Sequence, residues 1–287
     1  MVKKVGIIGL GKMGMAMAER LMETGVKVVG TDLFPQTRDN AKERGVDVTA
    51  SSEEVFQRVD IVILSLPTAK DVESTVAPLL NSKREHELII IDTTTSNPRV
   101  TEKLEAALEP MGVHLVDAPV SGGFFGARAG TLGIMVGGKA EYVASAMEIL
   151  EKLGGKIVHM GAPGAGHSTK LLNNLLGAAN LVATAEIVRL GDHLGLDAEK
   201  LTTILSAGGA RNSATEINYP RWVHTKSFDS GFTMKLMRKD VALAEELVNA
   251  RGKLPILEDV ATVWAASKGA VDDQADFNKI VEFHPGE

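Results

Sequence analysis

Residues 5–14 read VGIIGLGKMG, and this stretch decides the fold of the first half of the chain. Its first four residues form a short apolar run typical of a buried strand, and an amphipathic helix pattern, Met13–Glu23, follows. The glycines between them have the spacing G-x-G-x-x-G. In this context Gly9 permits a tight turn, Gly11 lets the backbone approach a diphosphate, and Gly14 lets the helix pack closely on the strand.

The same stretch predicts a dinucleotide site, because free N–H groups and the dipole at a helix N-terminus favour phosphate. A carboxylate at the end of the second strand, Asp32, would accept hydrogen bonds from both ribose hydroxyls and repel a 2′-phosphate, which favours NAD over NADP. Arg38 could reach a phosphate, but it lies further into the next helix. A structural turn without a ligand is the alternative. The residues expected at the cofactor are Gly9, Leu10, Gly11, Lys12, Met13, Gly14 and Asp32.

Further apolar runs alternate with helical patterns through the first half of the chain, which is typical of βαβ units. After Pro163 the pattern is helical throughout, beginning with one long helix from His167 to about Leu194. We therefore predict an α/β fold. A Rossmann-type, mostly parallel sheet domain occupies residues 1–162, and the long helix joins it to an all-helical domain at residues 163–287. The other predicted strands include Val26–Gly30, Asp60–Ser65, Leu88–Asp92, His114–Val116, Thr131–Val136 and Lys156–His159.

Composition excludes several classes of function. A net charge of −6 disfavours nucleic acid and an anionic membrane surface as partners. The absence of cysteine rules out disulfides and thiolate nucleophiles, and it is compatible with a reducing cytoplasm. The seven histidines show no metal-ligand spacing. We expect no membrane span, because asparagines interrupt the most apolar helix.

Two further strand ends carry small polar residues, and ligands bind beyond the carboxyl ends of strands in such sheets. Residues 65–68 read SLPT and residues 93–96 read TTTS. Leu66, Pro67 and Thr95 could contact the nicotinamide half of the cofactor. These segments could equally provide helix N-caps, and Ser96 or Asn97 fits a cap well.

A third loop suggests an anion site. Residues 117–123 read DAPVSGG, and successive glycines after a serine can aim several N–H groups at one carboxylate. Ser121, Gly122 and Gly123 are therefore candidates for substrate binding. A simple glycine turn that leads into the next strand is the other interpretation.

The start of the long helix carries two possible proton carriers, His167 and Lys170. Lys170 and Asn174 lie one turn apart on one face, and the surrounding leucines predict a largely buried helix. Burial and a cationic nicotinamide both lower the pKa of a lysine, which would suit it to proton transfer. His167 has the better unperturbed pKa, but we expect it to be solvated in the first turn. Lys170 could alternatively extend to solvent.

Together these motifs resemble the β-hydroxyacid dehydrogenase family, over almost the whole chain. The most specific segments are 117–132, DAPVSGGFFGARAGTL, and 164–174, GAGHSTKLLNN; the motif at 232–240, FTMKLMRKD, also fits. The resemblance implies Lys170 as catalytic acid/base and Asn174 as a substrate-orienting amide. It also implies that Ser121, Gly122 and Gly123 hold the substrate carboxylate. Phe232 and Lys239 would contact the cofactor.

The resemblance implies an NAD-dependent oxidoreductase, a homodimer or homotetramer in the cytoplasm. It would convert a small β-hydroxy acid such as 3-hydroxyisobutyrate into its semialdehyde. Two alternatives stay open: a reductase that acts mainly on tartronate semialdehyde or a sulfonated analogue, and a non-catalytic NAD-sensing module. Phe124 and Phe125 depart from the family pattern, because a smaller residue is expected after the glycines. This departure leaves the exact substrate open.

Overall fold

The computed structural model describes residues 4–81, 86–249 and 252–284. Packing divides the chain into two compact units, Met1–Lys170 and Leu171–Glu287. The first is built on a sheet and the second on helices, as the sequence predicts. The division between the units falls inside the long helix.

The described part of the first unit contains one sheet of nine strands. The order is β3-β2-β1-β4-β5-β6-β8-β7, with β9 paired to β8. The neighbouring strands β3, β2, β1, β4, β5 and β6 are all parallel to one another, and β8 runs antiparallel to β6 and β7. The strands are β1 Lys4–Ile8, β2 Lys27–Thr31, β3 Asp47–Val48, β4 Ile61–Leu64, β5 Leu88–Asp92, β6 Val113–Asp117, β7 Val120–Ser121, β8 Leu132–Gly137 and β9 Gly154–Gly161.

Helices cover both faces of this sheet, so the central strands are buried on both sides and read as continuous apolar runs. One core cluster joins the sheet to α1 and α7, and a second joins it to α3, α4 and α5. The helices of this unit are α1 Lys12–Glu23, α2 Pro35–Glu43, α3 Ser52–Arg58, α4 Ala69–Val76, α5 Pro98–Leu108, α6 Gly123–Ala129 and α7 Ala140–Leu153, with short 3₁₀ helices at Ala77–Asn81 and Glu109–Met111.

The second unit is helical, and its described residues form isolated bridges but no strand. Its core contains the fully buried Trp264, whose indole N–H donates to the carbonyl of Ala178 at 3.4 Å. This unit takes most of α8 Ala165–His193, then α9 Ala198–Ala207, a π-helix at Ala214–Val223, α10 Met234–Asn249, α11 Pro255–Ala266 and a 3₁₀ helix at Phe277–Glu282.

Helix α8 is less buried than the sequence predicts. Leu171 and Leu175 are buried, but Leu172 and Leu176 are 54% and 61% exposed, because they point away from the core stripe. The helix is also long and apolar enough to cross a membrane by length and composition. Its buried leucines belong to the core of the helical unit, and we interpret it as a core helix rather than a membrane span.

Candidate active site

The glycine turn between β1 and α1 has the geometry that its spacing predicts. Gly9 has φ +91°, and a Cβ at Gly14 would lie 1.8 Å from the Gly9 carbonyl oxygen, so the close approach requires glycine. A Cβ at Gly11 would meet nothing within 4 Å. The N-terminus of α1 therefore keeps open space at Gly11, where the pyrophosphate of a dinucleotide fits.

Asp32 follows β2 and is held against this turn. Its carboxylate accepts the Leu10 N–H at 2.8 Å and the Phe34 N–H at 3.0 Å. Arg38 lies on α2, the next helix, as the sequence indicates. Its guanidinium donates back to the Asp32 carbonyl at 2.7 Å and to the Leu33 carbonyl at 3.2 Å.

The helix caps after β4 and β5 are provided by Thr68 and Asn97, whose side chains accept the N–H groups of Asp71 and Arg99. Asn97, not Ser96, is thus the cap of α5. Leu66 lies before the first cap, and its N–H donates to the Thr94 hydroxyl at 3.3 Å. The two strand-end loops are therefore joined to each other, as neighbours at one edge of a parallel sheet.

The predicted substrate loop lies between β7 and α6. Gly122 and Gly123 are exposed, with φ of +121° and +64°, and Ser121 is half-buried at the end of β7. The glycines lead into a short helix rather than directly into the next strand. Phe124 packs against the first core cluster, while Phe125 is exposed and its ring lies 4.0 Å from that of Phe124.

Asp117, at the end of β6, anchors the start of α8. Its two carboxylate oxygens accept the N–H groups of Gly164 and His167, both at 2.9 Å, and its side chain is fully buried. A carboxylate at this position satisfies free N–H donors and complements the helix dipole. The sequence shows Asp117 only as part of a motif. Its role depends on a contact that the sequence alone does not reveal.

The expectation that His167 is solvated is wrong, because its side chain is 0% exposed. Its Nδ1 lies 2.7 Å from the Thr101 hydroxyl, and its Nε2 lies 3.8 Å from an oxygen of Asp92. The first turn of α8 packs inward against α5 and the ends of β5 and β6. Lys170, one turn later, is half-buried.

In the helical unit, Asn174 is buried and tied to a second residue that sequence reasoning left without a role, Asp240. The Asn174 amide donates to the Asp240 carboxylate at 2.6 Å, and the ammonium of Lys239 lies 3.2 Å from the other Asp240 oxygen. Phe232 packs against the core of this unit and meets the ring of Phe277 edge-on at 5.6 Å. Asp240 therefore fixes the orientation of the predicted substrate amide.

The fold and the glycine turn define a dinucleotide-dependent oxidoreductase, and comparisons with known proteins give the family. Residues 4–161 match the model described as the NAD binding domain of 6-phosphogluconate dehydrogenase. Residues 164–284 match the model described as NAD-binding of NADP-dependent 3-hydroxyisobutyrate dehydrogenase.

Individual relatives cover most of the chain. The mitochondrial 3-hydroxyisobutyrate dehydrogenase of Mus musculus is 39% identical, over 88% of this chain and 78% of the relative. A probable 3-hydroxyisobutyrate dehydrogenase of Mycobacterium bovis is 34% identical, over 96% of each. The solved 3-hydroxyisobutyrate dehydrogenase of Mycobacterium tuberculosis, with L-serine, is 33% identical and superposes with a TM-score of 0.90 over 98% of this chain and 99% of that one.

The chain belongs to the β-hydroxyacid dehydrogenase family. It is an NAD-dependent oxidoreductase that acts on a CH–OH donor, which confirms the predicted fold, enzyme class and cofactor.

Proposed function

We propose that this dehydrogenase oxidises a small β-hydroxy acid of the 3-hydroxyisobutyrate type to its semialdehyde, with Lys170 as the acid/base. The observation that carries the proposal is the placement of Lys170. It is half-buried on α8, and Asp117 ties the start of α8 to β6, the strand that leads to the predicted substrate loop. The named relatives support the substrate class, and the L-serine in the M. tuberculosis structure is itself a β-hydroxy acid.

When bound, NAD would supply the hydride acceptor for the carbinol carbon of the substrate. Ser121 and the N–H groups of Gly122 and Gly123 hold the substrate carboxylate, which orients the alcohol. Lys170 Nζ accepts the hydroxyl proton, and the same group returns it when the reaction runs as a reduction. Asn174 orients the substrate oxygen.

The remaining assignments concern the cofactor, and they stay proposals. The turn residues from Gly9 to Gly14 surround the open N-terminus of α1, which supports binding of the pyrophosphate there. The position of Asp32 directly after β2 supports the proposal that it accepts hydrogen bonds from the ribose hydroxyls. Leu66, Pro67 and Thr95 lie on the loops after β4 and β5, which supports contact with the nicotinamide half. The family resemblance also assigns Phe232 and Lys239 to the cofactor.

Lys170→Ala tests the mechanism. We expect turnover to fall by about 10²–10⁴-fold, the usual contribution of a positioned acid/base. NAD affinity, measured by calorimetry, should change little. Lys103→Ala is the matched control, because Lys103 is an exposed lysine on α5 in the same unit. Near-normal turnover by a Lys170→Ala variant that still binds NAD would refute the role of Lys170. A wild-type protein inactive on every hydroxy acid and semialdehyde would refute the function.

We further propose that the chain forms a homodimer or homotetramer in the cytoplasm. The support for self-association is a set of exposed apolar side chains on α8: Leu172, Leu176, Ile187 and Leu190. Light scattering coupled to gel filtration tests the oligomer, and a monomeric mass at micromolar concentration would contradict it. The lack of cysteine is compatible with the cytoplasm, which cell fractionation tests.

The boundary between cofactor and substrate domains at 162/163 also stays a proposal. One family model ends its match at residue 161 and the other begins its match at residue 164, which supports this boundary.

A further inference from the structure

A buried polar network lies under the segments to which the proposed function assigns the chemistry. It begins at the loop after β4, where the Leu66 N–H donates to the Thr94 hydroxyl at 3.3 Å. The Thr94 N–H donates to Asp92 at 2.9 Å. Both Thr94 and Asp92 are buried. The loops after β4 and β5 are thus connected to one carboxylate at the end of β5.

His167 joins that carboxylate to α8. Its Nε2 lies 3.8 Å from the second Asp92 oxygen, and its Nδ1 lies 2.7 Å from the Thr101 hydroxyl on α5. Its backbone N–H donates to Asp117 at the end of β6. Nε2 makes no hydrogen bond but faces the Asp92 carboxylate, while Nδ1 is hydrogen-bonded to the Thr101 hydroxyl. His167 thereby contacts α5 and the ends of β5 and β6 through its side chain and its backbone N–H.

The charges around His167 favour keeping an imidazole there. Asp92 and Asp117 both face it, from β5 and β6, and both are buried. Burial raises the pKa of Asp92 above its usual value, and the nearby imidazole opposes that rise. Without the imidazole, nothing would offset the repulsion of Asp117, which also raises the pKa of Asp92.

We propose that His167 is a positioning residue of the reaction, which holds the first turn of α8, and with it Lys170, in register with the loops after β4 and β5. This inference rests on the proposed function. His167 precedes Lys170 by three residues, so a shift of the first turn moves the lysine directly. The predicted cofactor turn at Gly9–Gly14 lies outside the network.

This arrangement predicts that replacing His167 lowers kcat much more than it changes the KM for NAD. A misplacement of about 1 Å can cost about 10²-fold in rate, so partial loosening of α8 should lower kcat by about 10-fold. The KM for NAD should change by less than about 3-fold, because the pyrophosphate and ribose contacts are made elsewhere. If His167 had only a structural role, its replacement would lower the stability of the protein without a selective loss of kcat.

The test compares three variants: His167→Leu, His167→Gln and, as the matched control, His114→Leu. His114 is only 4% exposed and lies on β6, but its ring stacks on Tyr142 rather than joining the network. We expect both leucine variants to lose similar thermal stability, while only His167→Leu loses kcat. His167→Gln should recover kcat to within about 3-fold, because its amide can both accept from Thr101 and donate towards Asp92.

Equal loss of kcat in the two leucine variants, or no rescue by glutamine, would overturn the inference. Amide hydrogen exchange gives a readout that does not depend on activity. Exchange at Leu66, Thr94 and Gly164 should accelerate in His167→Leu and not in His114→Leu. If the wild-type protein turns over no hydroxy acid, the proposed function fails and the positioning role of His167 in the reaction fails with it. Unchanged exchange at these amides would overturn the coupling on its own.

Discussion

Replacing Asp117 by asparagine should destabilise the first unit by about 3 kcal/mol. This magnitude is the cost of losing one of two buried hydrogen bonds together with the negative charge. The buried carboxylate accepts one N–H from Gly164 and one from His167, each at 2.9 Å. An asparagine has only one acceptor oxygen, so one buried N–H would face an NH₂ group, at a cost of about 1–3 kcal/mol. Loss of the negative charge at the start of α8 adds up to about 2 kcal/mol.

Thermal unfolding, followed by circular dichroism, measures this effect. For a unit of this size 1 kcal/mol corresponds to about 2–4 °C, so Tm should fall by about 6–12 °C. Asp197→Asn is the matched control, because Asp197 accepts a single N–H, from Lys200 at 2.9 Å, at the exposed start of α9. Asparagine caps a helix as well as aspartate does, and this variant should lose less than about 2 °C. Equal losses in the two variants would show that burial and the second bond at Asp117 do not matter.

Three further substitutions test the cofactor site, the substrate amide and a buried acid. Asp32→Ala should raise the KM for NAD more than that for NADP, and a wild-type protein that already prefers NADP would contradict the assignment. Asp240→Asn should lower kcat/KM for the hydroxy acid by about 30-fold, or about 2 kcal/mol, because it removes the charge that pairs with Lys239 at 3.2 Å; an unchanged value would contradict this role. The raised pKa of Asp92 means that the folded protein binds this proton more tightly than the unfolded chain does, so the contribution of this group to stability declines as the pH rises through the raised value. Asp92→Asn removes that decline. The difference in Tm between the variant and the wild type should therefore become more positive as the pH rises above the ordinary pKa of an aspartate, and a constant difference would refute the sign.

Much of the first unit is readable from local sequence, because its signals are local. The glycine turn at Gly9–Gly14 and the helix Met13–Glu23 follow from the spacing of residues close in the chain, and the structure has α1 at Lys12–Glu23. The two-residue strands β3 and β7 leave no such signal. They pair only because a neighbouring strand offers hydrogen-bonding groups.

The class of fold, the glycine turn and the helix that carries Lys170 can be read from the sequence, since strand and helix periodicity and glycine geometry act over a few residues. The environment of His167, the anchoring of α8 by Asp117 and the pairing of Asn174 with Asp240 depend instead on tertiary contacts. The partners in these contacts lie at least 47 residues apart in the chain. A polar side chain is buried in such a pair only when strand ends and helices from distant parts of the chain pack around it. Those contacts depend on the packing of the whole unit, which no single segment of the sequence specifies.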